Sequence, residues 1–167
     1  MRVIEIALSK GGVALVDEAD HEKVRAYRWW RDRKGYATTK VTIVPMKSHS
    51  LLMHRLIMDA PPGIYVDHID HDPLNNTRAN LRLATNSQNQ ANKRKVLAAS
   101  GYKGVWFNKQ SGRWSATVMC KKKRYYLGLH DTPEQESAAY AKEAERLFGV
   151  FAYNPPPEPR PRGEGTQ

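Results

Sequence analysis

The stretch between residues 65 and 94 concentrates side chains that bind metal ions and carry protons. It reads YVDHIDHDPLNNTRANLRLATNSQNQANKR and holds three aspartates, two histidines and six asparagines in thirty residues. A carboxylate and an amide oxygen, such as those of Asp67 and Asn89, suit a hard divalent cation, Mg²⁺ or Mn²⁺. A nearby imidazole, His68, could take a proton from water, and Asn80 could hold the other ring nitrogen. One metal and one general base suffice to hydrolyse a phosphodiester.

The same residues also have a purely structural explanation. Aspartate and asparagine are common turn residues, and a segment such as DHDPLNN can bond to its own backbone without binding a ligand. Asp67 and His68 are sequence neighbours, and neighbours in a regular strand point to opposite faces. A twist or the end of the strand must therefore bring both side chains into one site.

Two strands and one helix are expected to position these side chains. The pattern predicts a strand at YVDHI, a polar loop at DHDPLNNTRAN, a strand at NLRLA and a helix at NSQNQANKRK. Thr85 and Gln88 have the spacing of a capping box at the start of this helix. The segment is therefore predicted to run β, loop, β, α.

Shorter elements are predicted upstream. VIEIAL and VALV flank SKGG as a hairpin, DEADHEKVRAY predicts a short helix, and GYATTKVTIV predicts a strand. SLLMHRLIM predicts a helix with Ser50 as its N-cap. His54 on that helix could pack or reach a phosphate, and His71 in the loop is left unassigned. RWWRDRK is a basic, aromatic cluster, for which one tryptophan anchored in a small core is an equally good explanation.

The pattern VDHIDHDPLNNTRANLRLATNSQNQAN closely resembles the HNH motif of phage and intron-encoded homing endonucleases, a ββα-metal finger. The match joins DH to a downstream NNxxxNLR and to an asparagine in the following helix. The resemblance implies that Asp67 and Asn89 bind the metal, that His68 is the general base and that Asn80 orients this histidine. It also implies a homing role in a phage or mobile-element setting.

The charge balance favours a polyanionic partner. The 167 residues include 27 Lys and Arg against 17 Asp and Glu, a formal net charge of +10, although many proteins are basic for solubility alone. A single cysteine, Cys120, excludes an internal disulfide framework and favours a reducing compartment. Without a long apolar run or the apolar core of a signal peptide, the chain is expected in the cytoplasm of a bacterial or phage-infected cell, with no membrane contact.

A second pattern starts at Gly101. It predicts three short strands, divided by a turn at 110–112 and a lysine run at 121–123, and then a helix that begins after Thr132 and ends at Gly149. Residues two apart in a strand share a face, so Arg124 projects with Tyr126. A sheet with one face on a helix could place its other face in a DNA major groove, or it could simply be an exposed basic surface.

This second segment resembles the AP2/ERF DNA-binding domain over nearly its whole length. The resemblance rests on YKGV, GRW, YLG, the threonine-capped helix with AAYAKEA and the closing YNP. It implies that the sheet enters the major groove through Lys103, Trp106, Arg113, Trp114, Thr117, Met119, Arg124 and Tyr126. Trp106, Thr117 and Met119 replace residues common in plant members, so the target sequence does not carry over. Lys93 and Arg94, after the first motif, are predicted to approach the DNA backbone.

The sequence thus predicts an α+β protein with an HNH endonuclease domain at residues 1–95. Its ββα-metal core occupies about 64–95, and 96–100 form a linker. An AP2-like domain of three antiparallel strands and one helix follows at 101–154, then a disordered proline-rich tail at 155–167. The expected function is nicking or double-strand cutting of DNA with one Mg²⁺ or Mn²⁺, most simply by a monomer. The alternatives are a DNA-binding regulator with a non-catalytic HNH scaffold, and a host-defence or repair nuclease.

Overall fold

The structure is a computed structural model that describes residues 2–44, 47–93 and 100–153. The chain divides into two compact units, residues 1–89 and 90–167. Arg94, the predicted linker up to residue 99 and the predicted tail lie outside the described residues. No helix in the described part of the chain is long and apolar enough to cross a membrane.

The first unit opens with the predicted hairpin. Strands β1 (Val3–Ala7) and β2 (Val13–Asp17) pair antiparallel. Gly11 and Gly12 adopt φ of 87° and 91°, which the tight turn between these strands requires. The helix predicted over residues 17–27 is shorter in the structure: a 3-10 turn at Glu18–Asp20 leads into α1 (His21–Arg25).

A three-stranded antiparallel sheet follows. Its strands are β3 (Trp30–Arg31), β4 (Ala37–Val44) and β5 (Lys47–Leu52), with β4 in the middle, and α2 (Met53–Ile57) follows directly. The prediction that Ser50 caps this helix is wrong. Ser50 pairs with Lys40 across the sheet, and the pairing continues to Leu52 opposite Thr38, so the sheet hydrogen bonds delay the helix.

The β, loop, β, α segment is confirmed. Strands β6 (Tyr65–His68) and β7 (Leu81–Ala84) pair antiparallel, and α3 (Asn86–Ala91) follows. The predicted capping box is present: Gln88 Oε1 accepts from Thr85 N at 2.8 Å, and Thr85 Oγ1 accepts from Gln88 N at 3.3 Å.

One apolar core holds the first unit together. Trp29 is 1% exposed, and its indole Nε1 donates to Val24 O at 2.8 Å, whereas Trp30 is half-buried. The core interpretation of RWWRDRK is therefore correct for one of the two tryptophans. The buried apolar residues of this core are Leu8, Ala14, Val16, Val24, Trp29, Ala37, Met53, Ile57, Val66 and Leu81.

The second unit is a three-stranded antiparallel sheet packed on one helix, as predicted. The strands β8 (Val105–Asn108), β9 (Arg113–Cys120) and β10 (Lys123–His130) lie in the order β10, β9, β8, and α4 spans Pro133–Phe148. Thr132 caps this helix through a capping box with Gln135. Val118 and Cys120 of the sheet pack against Ala144 and Phe148 of the helix, which leaves the opposite face of the sheet open.

Candidate active site

The loop between β6 and β7 is fixed by its own polar side chains. Asn80 Nδ2 donates to Asp70 Oδ1 and to Asn75 O, both at 2.8 Å, and Asn80 Oδ1 accepts from Asp70 N at 2.9 Å. Asn75 Nδ2 donates to Asp70 Oδ2 at 2.7 Å. Burial raises the pKa of Asp70, but hydrogen bonds from Asp72 N, Asn75 and Asn80 outweigh it and hold this pKa below its usual value. The turn explanation is therefore correct for these residues.

His68 lies at the end of β6, only 6% exposed, with Nε2 3.3 Å from Asn76 Oδ1. Asn76 is fully buried, and its Nδ2 donates to Leu74 O at 3.1 Å, so its Oδ1 faces His68 as an acceptor. An acceptor at Nε2 favours the tautomer that carries its proton on this nitrogen. Nδ1 is then the basic nitrogen of the ring.

The asparagine that holds His68 is therefore Asn76, and the predicted role for Asn80 needs correction. Both amide hydrogens of Asn80 are engaged by Asp70 and Asn75, so its side chain shapes the loop around the histidine. Asn76 adds to this fixation through its backbone, because Asn76 N donates to Leu15 O at 2.8 Å. His71 also belongs to the loop: it adopts φ of 66°, and its N–H donates to His68 O at 3.2 Å.

Two aromatic side chains form the wall around His68. The ring centroid of His54 lies 5.0 Å from that of His68 in an edge-to-face arrangement, and the Tyr36 centroid lies 5.8 Å from His68 and 5.1 Å from His54. His54 is 5% exposed, and its Nδ1 has no hydrogen-bond partner among the described residues. His54 is thus a packed residue, which agrees with one of its two sequence explanations.

Burial keeps both imidazoles neutral. It lowers the pKa of His54 to about 3, with smaller contributions from the charges of His68 and Arg55. Burial also lowers the pKa of His68, although the hydrogen bond with Asn76 and the neighbouring aspartate charges oppose this shift. A neutral His68 can accept a proton at physiological pH.

Asp67 is buried beside His68 and is held by an arginine. Its Oδ2 accepts from Arg82 Nε and Nη2, both at 2.8 Å, and the two residues are cross-strand partners in β6 and β7. The negative charge of Asp67 contributes to raising the pKa of Tyr36 and opposes the lowering of the pKa of His68. The three groups therefore lie near one another. Both neighbours are buried at the end of β6, each only 6% exposed.

The donor set fits a hard divalent cation. Asn89 is half-buried in the second turn of α3, and its side chain makes no hydrogen bond to any described residue. The described ranges contain no group of three or more His, Cys, Asp or Glu that could enclose a metal. Mg²⁺ binds through one or two carboxylates and otherwise keeps water or phosphate oxygens, so the carboxylate and amide oxygens of the predicted ligands Asp67 and Asn89 are of the kind that this ion prefers.

A buried ion pair fastens the loop to the first hairpin. The Arg78 guanidinium donates to both carboxylate oxygens of Asp20 at 2.7 Å and to Ile57 O at 2.9 Å, and Arg78 N donates to Asp17 Oδ2 at 2.8 Å. Asp20 and Asp17 are only 2% and 5% exposed. The hydrogen bond with Asp20 is the main cause that raises the pKa of Arg78, so this cation is permanent.

The strand register of the second unit places five predicted DNA-binding residues on the open face. Thr117 is opposite Tyr126, Met119 is opposite Arg124, and Trp106 is opposite the small residue Ser115. Tyr126, Met119 and Trp106 are 59%, 53% and 41% exposed, which is unusual for such large side chains. The period-two argument is thus confirmed for Arg124 with Tyr126, and the strand register adds Thr117 and Met119 to the same surface.

Three other predicted DNA-binding residues have intramolecular contacts. Lys103 Nζ donates to the backbone oxygens of Ala91 and Tyr153, and burial lowers its pKa to about 8. Trp114 packs edge to face on Phe107 at 5.2 Å and against the buried cluster beneath the sheet, so it lies on the helix side. Arg113 pairs with Asp131 at the exposed sheet end. Lys93 is exposed after α3.

Sequence reasoning missed Asn76, Tyr36, Arg78 and Arg82 as parts of this site. Arg82 could have been found, because an antiparallel pairing of YVDH with LRLA places it opposite Asp67. Asn76 had a weaker signal: it is the second of two adjacent asparagines, and both were explained as turn residues. Tyr36 and Arg78 carried no local signal, since their partners are tens of residues away.

Comparison with known proteins identifies the family of the segment that contains these residues. Residues 52–91 match a family model described as HNH endonuclease, which spans α2 to the end of α3 and includes Asp67, His68, Asn80 and Asn89.

Three curated proteins are similar to the chain. HNH endonuclease L560 of Acanthamoeba polyphaga mimivirus is 37% identical over 145 residues, which cover 86% of this chain and 74% of L560. Protein 3.8 of Escherichia phage T7 is 37% identical over 93 residues, or 55% and 76% of the two chains. YosQ of Bacillus subtilis strain 168, named as an SPbeta prophage-derived HNH homing endonuclease, is 35% identical over 75 residues, or 42% and 43%. On the match with L560, this chain belongs to the HNH endonuclease family.

Proposed function

We propose that the chain is a homing-type endonuclease that hydrolyses a DNA phosphodiester with one divalent metal and His68 as the general base. The observation that carries the proposal is the fixed, buried imidazole of His68 beside Asp67. Nε2 of this imidazole faces Asn76 Oδ1, so its Nδ1 is the basic nitrogen. The net charge of +10 supports a polyanionic substrate.

In this mechanism each side chain has a separate task. His68 Nδ1 takes the proton from the attacking water, and Asn76 keeps the ring in the required tautomer. His54 and Tyr36 limit the movement of the ring. Asp67 and Asn89 would hold Mg²⁺ or Mn²⁺, which stabilises negative charge on the scissile phosphate when bound. Arg82 keeps the Asp67 carboxylate in place.

We further assign target binding to the open face of the second unit, in the manner of an AP2-like domain. Trp106, Met119 and Tyr126 expose large side chains on a face that also carries Arg124. A rare target needs contacts beyond the cleaved bond, and a second unit can supply them. The viral and prophage origins of the relatives support a phage or mobile-element setting over a repair function.

The experiment that tests the nuclease function uses the full chain and a randomised duplex library. We expect cleavage products with Mg²⁺ or Mn²⁺ and none with excess EDTA, because Asp67 and Asn89 carry no positive charge of their own and only a bound metal would stabilise negative charge at the scissile phosphate. Sequencing the product ends gives the target and shows whether one or both strands are cut. Binding without cleavage, with either metal, would favour the alternative of a DNA-binding regulator.

The open sheet face yields a second expected result. The double substitution Arg124→Ala and Tyr126→Ala should weaken binding to the selected target by roughly tenfold or more, because each lost base or phosphate contact costs about 1–3 kcal/mol. Binding is measured by fluorescence anisotropy with target and scrambled duplexes. The control is Lys142→Ala with Val150→Ala, which removes one exposed cation and one exposed apolar side chain outside the sheet. An equal loss of affinity for the target in both variants would exclude the open sheet face as the surface that recognises DNA.

A further inference from the structure

The hairpin between β3 and β4 carries a compact group of cations. Arg31, Arg33 and Lys34 lie within four residues, and all three are exposed. Asp32 fixes the turn between them: its Oδ1 accepts from Lys34 N at 2.8 Å and from Tyr36 N at 2.9 Å, and its backbone N–H donates to Tyr36 O at 2.9 Å. The cations are therefore displayed on a rigid backbone.

These cations are not neutralised inside the protein. Within residues 2–44, 47–93 and 100–153, none of Arg31, Arg33 and Lys34 takes part in an ion pair, whereas Arg78 and Arg82 of the same unit pair with buried aspartates. The nearby carboxylate of Asp32 is engaged by backbone amides of its own turn. Three exposed charges of one sign, held close together, repel each other and favour an anionic partner.

The hairpin packs on the loop between β6 and β7. Gly35 is buried with φ of 94°, and a Cβ at this position would lie 2.9 Å from Pro73 Cγ, so the turn packs directly on the loop between β6 and β7. The next residue, Tyr36, stacks beside His54 and His68. Arg33 is three residues from Tyr36, which is at most about 10 Å of backbone. The Tyr36 ring centroid lies 5.8 Å from that of His68, so the exposed cations and His68 belong to neighbouring parts of the same unit.

We propose that the β3–β4 hairpin binds the DNA phosphate backbone immediately beside the cleaved bond, through Arg33 and Lys34 with support from Arg31. The proposal rests on the nuclease function proposed above and adds a second DNA contact, in the catalytic unit. Contacts of this kind do not read sequence; they hold the strand in register while the other unit selects the target. They also make binding strongly dependent on salt.

The test compares two variants of the full chain that each lose two positive charges. The test variant is Arg33→Gln with Lys34→Gln. The control is Lys10→Gln with Lys40→Gln, two exposed lysines of the same unit that lie on the β1–β2 turn and in β4. Binding to a 30-base-pair duplex of random sequence is measured over a range of salt concentrations, and cleavage of the selected target is measured under single-turnover conditions.

For the test variant, we expect the slope of log K against log salt to fall by about two, because each lost phosphate contact releases about one counterion fewer. The DNA concentration at half-maximal cleavage rate should rise several-fold, whereas the rate at saturating DNA should stay close to that of the wild type. The control variant should change neither quantity. Both variants alter only exposed side chains, so unfolding midpoints should match the wild type.

Equal salt slopes and equal half-saturating concentrations in the two variants would overturn the proposal. A test variant in which only the cleavage rate at saturating DNA falls would also overturn the proposal, since this result would mean that the hairpin acts in the chemical step and not in DNA binding. If the wild type binds DNA but cuts none, the nuclease function fails, and the salt slope still decides the hairpin proposal. If the wild type binds no duplex at low salt, both proposals fail.

Discussion

Replacing His68 with alanine is expected to reduce the single-turnover rate of DNA cleavage by roughly 10²- to 10⁴-fold, the usual contribution of a positioned general base. Affinity for the duplex should change by less than about threefold, because the ring is buried against Tyr36 and His54 and offers little surface to DNA. The rate is measured at saturating DNA with Mg²⁺ or Mn²⁺, and affinity is measured with EDTA, in which the duplex stays intact.

The matched control for this prediction is His49→Ala, which removes an exposed imidazole from β5 in the same unit. It should leave both rate and affinity unchanged. His68 also lies among buried residues, so thermal unfolding must show that the alanine variant folds. A folded His68→Ala protein that cuts at the wild-type rate, or that loses binding and cleavage equally, would remove His68 from the role of base.

Replacing Arg78 with alanine is expected to lower the free energy of unfolding of the first unit by about 3 kcal/mol. Removing one partner of a buried ion pair costs about 3–5 kcal/mol, because the remaining charge has no compensation. Asp20 and Asp17 are nearly inaccessible, but the Arg78 side chain itself is 45% exposed, so the lower end of that range applies. Since Arg78 belongs to the β6–β7 loop, cleavage should also slow.

This prediction is checked by urea unfolding, followed by tryptophan fluorescence. In a Trp106→Phe and Trp114→Phe background the signal comes only from Trp29 and Trp30, which both lie in the first unit. The control is Arg25→Ala, which breaks an exposed pair with Glu22 three residues away and should cost at most about 1 kcal/mol. Equal midpoint shifts for Arg78→Ala and Arg25→Ala would show that the buried pair does not fasten the loop.

Features that depend on near neighbours were predictable from the sequence. The predicted capping box at Thr85 and the predicted helix start after Thr132 both depend on residues a few positions apart, and both helices begin where the sequence predicts. The glycine turn after β1 follows from the positive φ that such a turn requires. The shared face of Thr117, Met119, Arg124 and Tyr126 follows from the period of two in a strand, once the strands pair antiparallel.

Features that depend on competition between distant partners were not predictable in this way. Ser50 is a good N-cap residue, but the hydrogen bonds of β4 hold it in the sheet. Lys103 and Trp114 are residues of the kind that often contact DNA. Lys103 Nζ instead donates to two backbone oxygens, and Trp114 packs against the buried cluster beneath the sheet. In each case an interaction with a residue far along the chain outweighed the local preference.

By itself, the sequence determined the HNH segment and its order of strands and helix, and it predicted chemical roles for Asp67, His68 and Asn89. Only the tertiary structure decided which asparagine faces His68. Asn76 and Asn80 have the same side chain and both follow His68 in the loop between β6 and β7. Hydrogen bonds to Leu15 O and Leu74 O hold Asn76 next to the imidazole. Asp70 and Asn75 instead engage the side chain of Asn80. The tertiary structure also placed Tyr36 beside His68 and paired Arg78 with Asp20. Packing and buried charge pairing act between residues that are close in space and distant in sequence.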